Sequence, residues 1–537
     1  MEDRRTRLHW RISPADGIAA ILFLLFLIFY IAVLFYKEDF AYYDNDQLTG
    51  FSLQGKPFPP PVWPNVGRFF PLAFQEFNIL RFITRSPLGY HSFAVVQLLI
   101  LLCALFIILG EFRIRYRLLV LTMAILAPSF VIAFSDLIYP ERNVLFWLAI
   151  MLFCLQGYSR TNGRTHFIGC LVATHFALYY KETVVLLVIA YAATRLLLQP
   201  RDFRLAGFTT CRVFARENVL SIGMLVVSGI YVAFFAAVLL PQKSFSYVGE
   251  HHAALGSVLL AYLQVDWLPL VLLVVLSIRL WRFTFSNDHL DPLWDSLGVG
   301  AIAYCVGILA LRLNSGYYLA PTDFIAILYL ATMSAVWLSK PTKVRLSVVA
   351  IAIVCVLLQE VAYSSFRIIE RKSLITTKHE LADFLENYQP TANGSTLELF
   401  FPYSSGYHLM ELSSYLAYRG FRVAGQDATT ANGPSIVIEG REQFDGNRCV
   451  QYRDYACVHR ETAPTGALIV VLPDDNVSMN DVEAIGENSV LLLSLNPCTF
   501  CTGEGSAFKL LHVISPEFSS RPLPEHWLQL HVFKESV

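Results

Sequence analysis

The sequence predicts an α-helical polytopic membrane protein carrying a C-terminal soluble α/β domain, and three observations lead there. Of the 537 residues, 55% are hydrophobic and only 15% are charged, a balance that a soluble globule of this size does not keep. The apolar residues are gathered in blocks of about 20, long enough as helices to cross roughly 30 Å of hydrocarbon while satisfying their own backbone. Past Phe366 the texture changes to short mixed runs in which charged residues return.

The apolar blocks run over 17–36, 91–110, 118–134, 143–156, 166–180, 183–199, 218–240, 260–280, 296–311, 321–338 and 345–366, which predicts about eleven spans. Those starting at Asn143 and His166 are short, and the polar loops around them fit a helical hairpin. Orientation follows from the basic residues, which stay on the cytoplasmic side. Arg4, Arg5, Arg7 and Arg11 precede the first block, so the N-terminus is expected in the cytoplasm. The same parity keeps inside Arg113, Arg115 and Arg117, Arg160 and Arg164, the group from Arg201 to Arg216, Arg279 with Arg282, and Lys340 to Arg345. The first block is too long for a cleaved signal and lacks a small-residue cleavage site, so it reads as a retained anchor.

The outer face then receives the loop 37–90, short turns near 135–142 and 180–183, the segment 241–257, the turn 312–320 and everything after about residue 367. This divides the chain into a membrane domain, 1–366, and an extracytoplasmic domain, 367–537. In the latter, β-rich runs at Thr396–Phe401, Ser435–Glu439, Ala467–Leu472 and Val490–Leu495 alternate with helical stretches at Thr377–Tyr388 and Tyr407–Arg419, the pattern of an α/β fold.

Of ten cysteines, Cys103, Cys154, Cys170, Cys305 and Cys355 lie in apolar blocks, where a free thiol is a small apolar filler. Cys211 falls in an inner loop. Cys449, Cys457, Cys498 and Cys501 fall in the extracytoplasmic region, where an even count suggests disulfides with three possible pairings. Cys449 with Cys457 and Cys498 with Cys501 are favoured over a redox or zinc site, because no His or further CxxC supports a metal.

Charge at the expected outer rim is the main functional signal. Tyr42-Tyr43-Asp44-Asn45-Asp46-Gln47 follows the first block directly, and carboxylates there are costly unless they meet water, a cation or a partner. Tyr139-Pro140-Glu141-Arg142-Asn143 and Tyr179-Tyr180-Lys181-Glu182-Thr183 each set opposite charges side by side on a turn bounded by apolar blocks. Local ion pairs or snorkelling anchors would account for either turn alone. Turns from consecutive hairpins can also converge, bringing acid, base and cation into one cavity. His251-His252 and Asp266 could border it, although an interfacial His pair is more often simply solvated.

A carboxylate just after the first span, a charged turn with Arg before the fourth and a Lys-Glu turn after the fifth resemble the GT-C superfamily of glycosyltransferases, in particular its protein-mannosyltransferase-like and lipopolysaccharide-modifying members. The resemblance covers residues 1–366 and implies a polyprenyl-phosphate sugar donor used on the non-cytoplasmic face. It implies Asp44 as the base that deprotonates the acceptor hydroxyl for inverting attack, with Asp46 as the alternative base. Arg142 and Lys181 would hold the donor phosphate and stabilise its growing charge. Glu182 would orient Lys181 or the acceptor, with Glu141, Glu76, Arg68 and Arg312 as further orienting or acceptor-binding candidates. Protein mannosyltransferases follow the first-loop Asp with Glu, whereas this chain has Asp44-Asn45-Asp46, so the identity of the base stays open. That Asp-x-Asp pattern also resembles metal-dependent oligosaccharyltransferases, which admits a divalent ion, although no cofactor is expected.

The implied partners are the polyprenyl-phosphate sugar, a glycan, lipid or protein acceptor, and membrane lipid, with no nucleic acid. The implied location is a plasma membrane of the bacterial inner type. The chain has no GxxxxGK[ST] loop, no GxGxxG after a strand and no HExxH, so an ATP-driven pump, a dinucleotide enzyme and a zinc protease of that type are unsupported. A lipid-linked sugar transporter or flippase, and a polysaccharide polymerase or ligase, are the alternatives.

Overall fold

The computed structural model describes residues 13–35, 48–52, 56–64, 67–198, 218–241, 254–286, 289–313, 315–338, 342–388, 396–401, 406–423, 435–440, 458–459, 467–471, 489–495 and 530–535. Helix α1 (Pro14–Phe35) starts at a reciprocal cap in which Asp16 N–H donates to Ser13 Oγ and Ser13 N–H to Asp16 Oδ2, both at 3.2 Å, satisfying two of the donors a helix start leaves open. Only Leu27, Tyr30 and Leu34 of α1 are buried. That narrow stripe faces the bundle, flanked by partly buried residues such as Phe23, Phe26 and Ile31, and the opposite face, with Leu22, Leu25 and Phe29, is apolar and exposed, as lipid contact requires.

The first loop contains a one-turn helix at Leu48–Ser52, the two-residue strands β1 (Val62–Trp63) and β2 (Arg68–Phe69), and α2 (Gln75–Leu80). Then come α3 (Pro87–Ile108), α4 (Ile114–Leu126) and α5 (Pro128–Ser135), α6 (Glu141–Thr161), α7 (Arg164–Tyr180) and α8 (Val184–Leu197). The bundle is completed by α9 (Val219–Leu239), α10 (Leu255–Val265), α11 (Leu268–Ser286), α12 (Trp294–Ala310), α13 (Ala320–Trp337) and α14 (Lys343–Asn387). Among the described residues seven helices are long and apolar enough to cross a membrane, or eight if the bent pair α4–α5 is one span. The architecture is that of an α-helical polytopic membrane protein.

Three of the predicted blocks differ in detail from the helices they became. Block 118–134 is the pair α4 and α5, bent by 65°, because Pro128 cannot donate to the preceding turn and its ring displaces the chain. Ser364 Oγ on α14 donates to the freed Leu126 carbonyl at 2.6 Å, and all eight residues of α5 are buried. Block 260–280 is interrupted at Asp266, whose carboxylate accepts from Leu268 N–H at 2.8 Å and so caps the start of α11. Block 345–366 is the beginning of the 45-residue α14, about 68 Å long. The helix runs without a break through residue 366, since its later polar residues are good helix formers and its apolar ones gain a new partner.

That partner is a mostly parallel sheet. Strands β3 (Leu397–Phe401), β4 (Arg422–Val423), β5 (Ser435–Gly440), β6 (Val458–His459), β7 (Leu468–Val471), β8 (Ser489–Leu495) and β9 (Leu530–Glu535) form it in the order β4-β5-β3-β7-β9-β8, with β6 on β5. The β-rich runs of the sequence fall on β3, β5, β7 and β8. β9 lies antiparallel between β7 and β8, and the other pairs are parallel. Helix α15 (Gly406–Tyr418) and the end of α14 bury Leu381, Leu385, Leu412 and Leu416 against Leu399, Phe401 and Ile436. Helix α15 also packs against the Leu48–Ser52 turn, so the sheet unit touches the first loop directly.

Close helix packing in the bundle depends on small residues. A Cβ added at Gly300 of α12 would lie 2.7 Å from the Leu187 carbonyl of α8, so backbones meet there with no side chain between them. At the end of the bundle away from the first loop, charges serve the helix ends. Arg117 donates from Nε to the Phe112 carbonyl at 2.7 Å and from Nη2 to that of Gly110, closing the end of α3. Arg279 grips Asp295 through two bonds of 2.8 and 2.7 Å.

Candidate active site

The first loop folds back over the bundle because its aromatic residues need cover. Phe58, Phe70, Phe74 and Phe77 are buried with Tyr90, Leu137 and Ile138. Leu72 N–H donates to the Tyr179 carbonyl at 3.1 Å, and Tyr231 hydroxyl to the Phe69 carbonyl at 2.9 Å. This seals the ends of α3, α6, α7 and α9 beneath the loop and carries Arg68 and Glu76 down to the turns holding Glu141, Arg142, Lys181 and Glu182.

The charges pair across the turns rather than along them. Glu141 and Arg142 are adjacent in the chain, yet Glu141 Oε1 meets Lys181 Nζ at 2.8 Å and Arg142 Nη2 meets Glu76 Oε1 at 3.2 Å. Glu182 in turn holds Arg68 Nε at 2.6 Å. Successive residues at the start of a helix point about 100° apart, so neighbours reach different partners. Three turns distant in sequence thus form one interlocked set.

Arg142 is fully enclosed. Besides Glu76, it donates from Nε to Gln97 Oε1 at 2.8 Å and from Nη1 to the Leu137 carbonyl at 3.0 Å. Asn143 closes the ring, donating to Glu76 Oε1 at 2.5 Å and accepting from Gln97 Nε2 at 2.8 Å. Burial pushes the Glu76 carboxyl above the ordinary glutamate range, opposed by the Arg142 guanidinium and the Asn143 amide. Every arm of Arg142 is therefore committed to protein groups.

Lys181 sits differently. Its ammonium is 4.5 Å from the centre of the Tyr318 ring, in a row of aromatics where Tyr318 meets Tyr317 at 4.3 Å and Tyr317 stacks on Tyr139 at 3.9 Å. Arg68, over the Phe70 ring at 4.5 Å, keeps 21% of its side chain exposed, against 2% for Lys181. It is the most open cation of the set.

Asp44, Asp46, His251 and His252 lie outside the described residues, as do Cys449, Cys457, Cys498 and Cys501. Arg312 is exposed with a left-handed backbone, φ 55°, and makes no ion pair among the described residues. The structure brings together Glu76, Arg68, Glu141, Arg142, Lys181 and Glu182, and leaves Arg312 apart. Among the described residues no group of three or more His, Cys, Asp or Glu side chains is arranged to hold a metal ion.

Sequence reasoning gave no role to Gln97, a lone polar residue inside an apolar block, or to Asn143, quoted only as the end of a charged turn. It also missed Asp136, whose carboxylate accepts from Arg371 Nε at 2.7 Å in a buried pair joining the end of α5 to α14. It missed Asp323 and Glu360 too, although a carboxylate inside an apolar block is a rare and costly placement and so a signal that could have found them.

No family model matches the chain, and no curated protein matches it. Among solved structures it is similar to ArnT from Cupriavidus metallidurans bound to undecaprenyl phosphate, with 11% identity over 89% of this chain and 96% of that one, at a TM-score of 0.44. It is likewise similar to the apo state of that protein, with 12% identity over 90% of this chain and 97% of that one, again at a TM-score of 0.44. At this identity and score the similarity assigns no residue a role.

Proposed function

We propose that the chain is a glycosyltransferase of the GT-C type, moving a sugar from a polyprenyl-phosphate donor to a lipid-linked glycan, lipopolysaccharide component or protein. The observation that carries this reading is the convergence of Arg68, Lys181 and their carboxylate partners from the first loop and the two turns beneath it. Cations held at the membrane rim suit a lipid phosphate, since they attract it and stabilise the charge that grows as the glycosidic bond breaks. Asp44, or Asp46, would take the acceptor proton. On this reading the first-loop end faces the extracytoplasmic side of a plasma membrane crossed about eleven times, with the N-terminus in the cytoplasm and the α/β unit from about residue 367 selecting the acceptor.

Lys181 and Arg68 are better suited than Arg142 to meet the donor phosphate. A phosphate on Arg142 would have to displace Glu76, Gln97 or the Leu137 carbonyl, leaving a buried polar group unsatisfied at a cost of about 1–3 kcal/mol. Arg142 then acts as the brace that holds Glu76 and the loop in place. Glu141 and Glu182 hold the two cations in line, and Arg312 is left for the acceptor or the lipid surface.

The test gives purified protein a radiolabelled polyprenyl-phosphate sugar with candidate acceptors and compares wild type with Asp44→Asn. Label should pass to an acceptor with wild type only. Transfer undiminished in the variant removes Asp44 from the mechanism, and adding a chelator reports on metal dependence. One observation favours a second reading, a lipid-linked sugar flippase: the 65° break between α4 and α5 is of the kind transporters use to build sites within the membrane. A flippase moves intact lipid without cleaving the sugar–phosphate bond, which the same assay distinguishes.

A further inference from the structure

Three carboxyl side chains with no part in the pairings above gather next to them. Asp266 lies in the joint between α10 and α11, Asp323 in the first turn of α13, and Glu360 on α14. Each is at most 2% exposed. Asp266 and Asp323 are within hydrogen-bonding reach of each other, and Ser129 Oγ at the start of α5 donates to Asp323 Oδ2 at 2.5 Å.

Most of the oxygens are unanswered. Asp266 Oδ2, Asp323 Oδ1 and both oxygens of Glu360 have no hydrogen-bond donor among the described residues, and Glu360 is close enough to interact electrostatically with Asp266 and Asp323. None of the three makes an ion pair among the described residues. A buried carboxyl without a partner costs several kcal/mol or must hold a proton, whereas an aliphatic side chain would carry no such penalty. Four buried carboxyl oxygens on three elements, with no donor among the described residues, form an incomplete polar site.

The chemistry of these oxygens says what would complete it. A metal ion needs its oxygens to converge within about 2.0–2.6 Å of one point, and no such grouping occurs among the described residues. A primary ammonium carries three N–H donors that diverge, each reaching an oxygen about 2.7–2.9 Å away, and so can answer one oxygen on each of three elements. Tyr262 is close enough to feel both Asp323 and Glu141, which sets the cluster beside the Glu141–Lys181 pair at the first-loop end.

We propose that Asp266, Asp323 and Glu360 form a binding site for a protonated primary amine. The inference stands on this cluster and not on sugar transfer, so its test reads binding alone. Purified full-length protein in micelles is treated with dicyclohexylcarbodiimide, which attacks protonated carboxyls in apolar surroundings, and the loss of the unmodified peptide containing Glu360 is followed by mass spectrometry. Methylammonium slows that loss in a saturable way. Tetramethylammonium, with the same charge and no N–H, and magnesium leave it unchanged. Asp266→Asn and Asp323→Asn each raise the half-protecting methylammonium concentration roughly tenfold or more, the worth of one charge-assisted hydrogen bond, while continued modification of Glu360 reports that the fold is intact. Equal protection by tetramethylammonium, protection by magnesium instead, or no protection by methylammonium each overturns the proposal.

Discussion

The Glu141–Lys181 pair lends itself to a quantitative test, because both side chains are enclosed, at 0% and 2% exposure, and their charged atoms are 2.8 Å apart. Replacing Lys181 with Met keeps the volume and removes the cation, leaving Glu141 as a buried, uncompensated carboxylate at a cost of about 3–5 kcal/mol. Replacing Glu141 with Gln is expected to be milder, since Lys181 keeps the Tyr318 face 4.5 Å away, a contact worth about 0.5–2 kcal/mol. The double variant removes both charges, and exchanging a buried ion pair for neutral groups of similar volume is often close to neutral. Stability should therefore order as wild type close to the double variant, then Glu141→Gln, then Lys181→Met. Unfolding in mixed micelles under an SDS titration, followed by tryptophan fluorescence, provides the four free energies of the cycle. Lys181→Met within about 0.5 kcal/mol of wild type, the level of an ordinary surface change, would refute the claim that these residues pair in an enclosed site. So would a double variant no more stable than Lys181→Met.

Two further outcomes follow from the packing. Arg142→Lys should be nearly as damaging as Arg142→Met, each losing about 3–5 kcal/mol in the same SDS titration, because an ammonium cannot reach Glu76, Gln97 and the Leu137 carbonyl in three directions as the guanidinium fork does; stability restored by Lys would show that charge alone matters. Gly300→Ala should cost about 1–3 kcal/mol by forcing α12 away from the Leu187 carbonyl, whereas Gly229→Ala, where a Cβ meets nothing within 4 Å, should leave the unfolding midpoint unchanged.

Much of the architecture was legible from composition and pattern. Hydropathy is a sum over neighbouring residues, so the apolar blocks marked the helices of the bundle, and the β-rich runs at 396–401 and 467–472 marked strands that are apolar because a parallel sheet is covered on both faces. The helix breaks were harder to read. Block 118–134 reads as one span in the sequence although Pro128 lies within it, and Asp266 reads there only as a charge that could border a cavity, whereas its carboxylate caps α11.

Glu141, Arg142, Lys181 and Glu182 could be named from the chain because a charge at the edge of an apolar block is costly wherever it points, and Arg68 and Glu76 entered as first-loop candidates beside the family resemblance. Which charge meets which could not. Glu141 and Arg142 are neighbours that turn to different partners, and Lys181, 40 positions away, reaches Glu141 only once α6 and α7 pack with a particular rotation about their axes. Hydropathy does not encode that rotation; the fit of side chains between helices decides it, and with it the enclosure of Arg142, the openness of Arg68 and the meeting of Asp266, Asp323 and Glu360.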